Sequence, residues 1–144
     1  MIQNKAALIV YIEDSKPDVY MFNRAAKAYH KPVKLVVLTD GKQAIEFIQQ
    51  EGEFTNREVP RFILLDLNMP FVSGFDILTA IRTHPQLKFT PVIIVTSSRD
   101  EDDLRRSYEL GANAYVMKLN KFYDYQKSVI NLLTFWLDTT EVPK

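Results

Sequence analysis

The chain has 144 residues, and its 18 Lys+Arg balance 18 Asp+Glu, so no global field draws it to nucleic acid or an anionic membrane. Hydrophobic residues make up 47% and charged residues 25%, which is ordinary globular usage and excludes a disordered chain. With no cysteine, disulfides, thiolate metal sites and cysteine nucleophiles are excluded. No apolar run reaches the roughly 18 residues of a membrane helix. Met1-Ile2-Gln3-Asn4-Lys5 lacks the basic-then-apolar layout of a leader. The expectation is one cytoplasmic domain with neither nucleic acid nor membrane as partner.

Strand one is Ala7-Leu8-Ile9-Val10-Tyr11-Ile12, too short and too β-branched for a helix. Pro17 suits a first helical turn, and Val19, Phe22, Ala26 and Tyr29 follow at helical spacing towards His30-Lys31-Pro32. Residues 34–38 form strand two, and Thr39-Asp40-Gly41 turns into a helix carrying Ala44, Phe47 and Ile48. After a polar stretch over 49–61, Phe62-Ile63-Leu64-Leu65 is strand three, and Gly74 precedes a helix that His84-Pro85 ends. Strand four covers 91–95. Asp100-Glu101-Asp102-Asp103 opens a helix with acids, where the dipole favours them. Gly111 closes it, Ala114-Tyr115-Val116-Met117 is strand five, and a last helix spans about 122–138. Five β-α units predict an α/β fold, a doubly wound parallel sheet of five strands with helices on both faces.

The strands stop at chemically suggestive residues: Glu13-Asp14, Asp66, Thr96 and Lys118. In such a sheet the carboxyl ends of the strands line one edge, where ligands bind. Any one of these residues could merely open a solvated loop, but together they converge on one pocket. Asp66 follows four apolar residues and would be buried, which is costly without a partner or a metal. Clustered carboxylates suit a hard divalent cation, and oxygen ligands suit magnesium. A carboxylate beside such a cation can attack phosphorus. Phosphoryl transfer mainly needs positioning and neutralised charge, which Lys118 and the Thr96 hydroxyl can supply.

Val10-Tyr11-Ile12-Glu13-Asp14-Ser15, Leu64-Leu65-Asp66-Leu67-Asn68-Met69-Pro70, Ile94-Val95-Thr96-Ser97 and Tyr115-Val116-Met117-Lys118 resemble the receiver domains of bacterial two-component response regulators over about 8–137. The resemblance implies the flavodoxin-like strand order 2-1-3-4-5 and a phosphoacceptor role for Asp66. It also implies magnesium held by Asp14, Asp66, the backbone carbonyl of Asn68 and, through water, Glu13. Thr96 would be the switch hydroxyl, Lys118 the phosphate-pairing lysine and Tyr115 the aromatic switch. One departure is Leu119, where the family usually has proline, often after a cis bond. That bond would cost about 3–4 kcal/mol before leucine against about 0.5–1 before proline, so the loop after strand five is open to another geometry.

Phe135-Trp136-Leu137, Ser107-Tyr108-Glu109-Leu110, the loop over 49–61 and the lack of an output domain look like stand-alone receivers that serve phytochrome histidine kinases. The last helix carries Val129, Leu132, Leu133 and Trp136 on one stripe with Ile130, Phe135 and Leu137 off it. That apolar excess points to a homodimer through this helix and strand five. His30 and His84 read as surface or helix-end residues. The expected function is to accept a phosphoryl group from a histidine kinase and signal by a conformational switch, not enzymatic turnover. The alternatives are a magnesium-dependent phosphatase with an aspartate nucleophile, a nucleotide or flavin module, and an unphosphorylated docking protein. The phosphatase wants a second acid where Asn68 stands, and no glycine-rich phosphate loop exists for a nucleotide.

Overall fold

The computed structural model describes residues 6–143, so Met1–Lys5, on which the leader reading rests, lies outside the described residues. The elements alternate as β1 (Ala7–Ile12), α1 (Lys16–Ala26), β2 (Val33–Leu38), α2 (Gly41–Gln49), β3 (Phe62–Leu65), α3 (Gly74–Thr83), β4 (Val92–Thr96), α4 (Glu101–Glu109), β5 (Ala114–Met117) and α5 (Phe122–Leu133). All strands pair in parallel, in the order β2-β1-β3-β4-β5. Among the described residues no helix is long and apolar enough to cross a membrane.

Side chains alternate across a strand, and each face of the sheet gathers its own core. Val10, Ile12, Ile63 and Leu65 pack with Phe47 and Ile48 of α2 and Ile77 and Leu78 of α3. Ile9, Tyr11, Phe62 and Leu64 pack on the other face with Phe22 and Ala25 of α1 and Val129 and Leu133 of α5. The central strands are buried on both faces, which is why they read as unbroken apolar runs. Side-chain caps start four helices: Ser15, Asp40, Ser73 and Asp100 each accept a backbone N–H of the following turn.

Strands β2 and β4 differ from the expectation by one residue at one end or both, Val33–Leu38 against 34–38 and Val92–Thr96 against 91–95, and two helix ends differ by more. Helix α1 stops at Ala26, not near His30. The Ala28 and Tyr29 amides donate three residues back, to Ala25 at 3.2 Å and Ala26 at 3.0 Å, tightening the exit before Pro32. Tyr29 is nonetheless buried, as its spacing suggested. Helix α5 ends at Leu133 and continues as a wider π-wound turn over Thr134–Thr139. No described peptide bond is cis, Lys118–Leu119 included.

The strand order brings the candidate residues together. β1 leads to β2 on one side and neighbours β3 on the other, which makes its carboxyl end the switch point. The ladder runs on past the strands: Glu13 N–H donates to Leu38 O (3.0 Å), Asp66 N–H to Ile12 O (3.1 Å) and Lys118 N–H to Thr96 O (2.8 Å). Gly74 lets α3 start against this edge, because a Cβ there would lie 2.5 Å from the Asp66 carbonyl oxygen and 2.7 Å from Leu67 Cα.

Candidate functional site

Strands β1 and β3 place Glu13, Asp14 and Asp66 so that one carboxylate oxygen from each lies within 4.8 Å of the others. Glu13 is fully buried, Asp66 is 5% exposed, and Asp14 faces solvent. Lys118, at the end of β5, reaches into this group. Its Nζ donates to Glu13 Oε1, to Asp18 Oδ2 at 2.7 Å and to Asp66 Oδ2 at 3.3 Å. The other Asp66 oxygen, Oδ1, accepts the Asn68 N–H at 3.3 Å. Glu13 is pinned further: Oε1 accepts the hydroxyl of buried Tyr11 at 3.3 Å, and Oε2 accepts the Ser15 N–H at 3.4 Å.

Burial, then the neighbouring Asp66, pushes the Glu13 carboxyl up to about 7 against the pull of Lys118. Burial lowers the Lys118 ammonium, but its hydrogen bonds to Asp18 and Glu13 and the Asp66 charge outweigh that, and it stays above the ordinary lysine value. Burial raises the Tyr11 phenol, and Tyr125 and Glu13 add to the rise, so it remains a hydrogen-bond donor. Three carboxylates thus share one ammonium, and a fourth, Asp14, lies beside two of them. That imbalance, with three oxygens already gathered, fits a hard divalent cation.

The expected residues do not all touch. Lys118 meets Glu13 and Asp66 directly, and Asp14 lies beside those two acids. Thr96 is fully buried at the end of β4, and its hydroxyl accepts the Ser98 N–H at 3.3 Å. Tyr115 is half-buried and donates to the Ser98 carbonyl at 3.1 Å. Thr96 and Tyr115 are therefore linked through one residue of the β4–α4 loop. Asn68 is exposed and contributes its backbone.

Sequence reasoning missed Asp18 and Tyr11. Asp18 lies four residues past Asp14 in the first turn of α1, a place where acids are common for the helix dipole alone. Tyr11 sits in an apolar strand where nothing local separates a packed ring from one whose hydroxyl is used. The expectation for the other groups held: His84 ends α3, and His30 is exposed, paired with Asp138 at 2.7 Å.

The model for the response regulator receiver domain matches residues 9–129. The response regulator Rcp1 of Synechocystis sp. is 39% identical over 140 residues, covering 97% of this chain and 95% of that protein. The crystal structure of the phosphorylated cyanobacterial phytochrome response regulator RcpA superposes with a TM-score of 0.92 at 34% identity, over 97% of this chain and 100% of that one. The Mn(2+)-bound form of Rcp1 gives 0.89 at 39% identity, over 96% and 99%.

Proposed function

The chain belongs to the response regulator receiver domain family, and on that premise we propose that Asp66 is the residue that takes the phosphoryl group. The observation that carries this reading is Asp66 itself, a buried carboxylate with one oxygen on the Asn68 N–H and the other on Lys118, beside two further acids. An Asp66 oxygen attacks phosphorus, the oxygen–phosphorus bond forms, and the donor's nitrogen–phosphorus bond breaks. Lys118 neutralises an equatorial oxygen as charge builds. Asp14, Asp66, the Asn68 carbonyl and, through water, Glu13 would hold magnesium, which would supply charge neutralisation at the transferring group. The manganese in the similar Rcp1 structure supports a divalent ion, and the all-oxygen donor set favours magnesium.

Thr96 serves as the switch hydroxyl and Tyr115 as its relay. When Thr96 turns to a phosphoryl oxygen it gives up the Ser98 N–H, and Ser98 is the residue that holds Tyr115. The donor is a sensor histidine kinase of the phytochrome kind, a reading supported by the phytochrome regulator among the similar structures. The phosphatase alternative gains no support, because Asn68 stands where its general acid belongs.

The reading predicts labelling by acetyl phosphate in magnesium that Asp66→Asn abolishes. Undiminished acid-labile phosphate on that variant, measured by mass spectrometry, overturns the assignment.

The output includes a homodimer through α5 and β5. β5 is an edge strand with half-buried residues, and the groove between it and α5 has a volume of about 740 Å³ and runs to Phe135 and Trp136. Phe135 is 48% exposed and rests edge-on against Trp136, whereas Leu133 is wholly buried, so the surface is probed at Phe135. Sedimentation should show a wild-type dimer that Phe135→Glu dissociates; a wild type monomeric at micromolar concentration with and without beryllofluoride refutes the dimer.

A further inference from the structure

An ammonium has three N–H donors and no more. Glu13, Asp18 and Asp66 are the three carboxylates within reach of Lys118 Nζ. They are not equivalent. The contacts to Glu13 and Asp18 are short, the latter 2.7 Å, while that to Asp66 is the longest at 3.3 Å. The two short contacts approach from different elements, Glu13 from the end of β1 and Asp18 from the first turn of α1. With two N–H groups held from two directions, the third is left aimed at Asp66.

We propose that Asp18 is a positioning residue for phosphoryl transfer, holding the Lys118 ammonium so that its remaining N–H points to the place the phosphoryl oxygen will occupy. This rests on the phosphoacceptor reading above.

The placement of Asp18 suits the task. Its backbone N–H is capped by Ser15 Oγ at 3.3 Å, and Ser15 N–H binds Glu13 Oε2, so one short turn fixes both of the carboxylates that grip Lys118. Lys118 needs the restraint. It is a flexible four-carbon side chain on a strand end, followed by exposed Leu119 and Asn120. Without Asp18 the ammonium would keep one short contact, to Glu13, and the longer one to Asp66. Preorganised charge acts at full strength because nothing has to reorient during the reaction. Asp18 lies outside the carboxylate triplet of Glu13, Asp14 and Asp66, so its effect should be separable from metal binding.

The test is the rate of labelling by acetyl phosphate at saturating magnesium. Asp18→Asn keeps the shape but weakens the hold on Lys118, and labelling should slow about tenfold, equivalent to about 1.4 kcal/mol of transition-state stabilisation. Magnesium affinity and thermal midpoint should stay at wild-type values, and Asp18→Glu should recover part of the rate. In a Lys118→Met background, measured by the slower residual labelling, Asp18→Asn should change nothing further. A rate equal to or faster than wild type, or a loss that persists without Lys118, overturns the proposal. Failure of the wild type to be labelled at all would instead overturn the phosphoacceptor reading on which it rests.

Discussion

Phe71 in the β3–α3 loop and Gly74 at the start of α3 carry opposite backbone demands. Phe71 has φ +68°, a left-handed conformation that costs an L-residue roughly 1–2 kcal/mol. Its side chain is fully exposed, so no packing offsets the strain. Phe71→Gly removes that strain and returns about 0.5–1 kcal/mol as backbone entropy. Denaturant unfolding should therefore show a gain of up to about 1.5 kcal/mol, whereas Phe71→Ala, which keeps the strain, should show none. An equal gain from both variants would place the effect in the exposed ring and not in the backbone. Three residues later the sign reverses. Gly74→Ala drives a methyl against the Asp66 carbonyl, and overpacking of this kind costs about 1–3 kcal/mol. Labelling of Asp66 should fall with it, since the strand end that aims the carboxylate has to move.

At the scale of elements, the chain end beyond α5 is fastened by one carboxylate. Asp138 accepts the Tyr29 hydroxyl at 2.8 Å, the His30 ring nitrogen at 2.7 Å and Lys31 Nζ at 2.7 Å, joining the π-wound turn to the loop between α1 and β2. These three partners, His30 first, hold the Asp138 carboxyl well below the usual carboxylate range. A carboxyl whose folded value is depressed adds stability that is present above its unfolded value of about 3.9 and is lost as pH falls through the folded value. Thermal unfolding should thus find wild type above Asp138→Asn near neutrality, with the gap closing below about pH 4; a gap that persists in acid would show that the pairing contributes nothing. Sequence made the strands legible and this clasp invisible. Bounds of the central strands fall close to where apolar runs stop, because a doubly buried strand has few polar residues to blur its ends. Asp138 and Lys31 are 107 positions apart, and nothing local to either marks the other. The early exit of α1 and the widened winding after Leu133 were hidden for a related reason: helical spacing continues in the sequence where the backbone hydrogen bonds do not.

At the scale of the molecule, strand order was not readable from the residues and came only with the family resemblance, yet it decides the site. Placing β1 between β2 and β3 sets Glu13 and Asp14 beside Asp66, and placing β5 at the edge lets Lys118 enter from the far side. The fold therefore gathers Glu13, Asp18 and Asp66 around the Lys118 ammonium and sets Asp14 beside Glu13 and Asp66. Packing of both sheet faces has to offset their mutual repulsion. Anything that binds this pocket only when it is assembled stabilises the whole fold, by about 2.7 kcal/mol when the ion is present at a hundred times its dissociation constant. Magnesium should accordingly raise the thermal midpoint of wild type above its value in chelator. Asp14→Ala removes an exposed member of the triplet with little packing to lose. Its midpoint in chelator should equal or exceed that of wild type, while its rise on adding magnesium should be much smaller. Calorimetry of the two proteins with and without magnesium measures both quantities. If Asp14→Ala is destabilised in chelator and still gains as much from magnesium as wild type, repulsion among the clustered acids is not what limits the empty fold, and the ion binds outside this pocket.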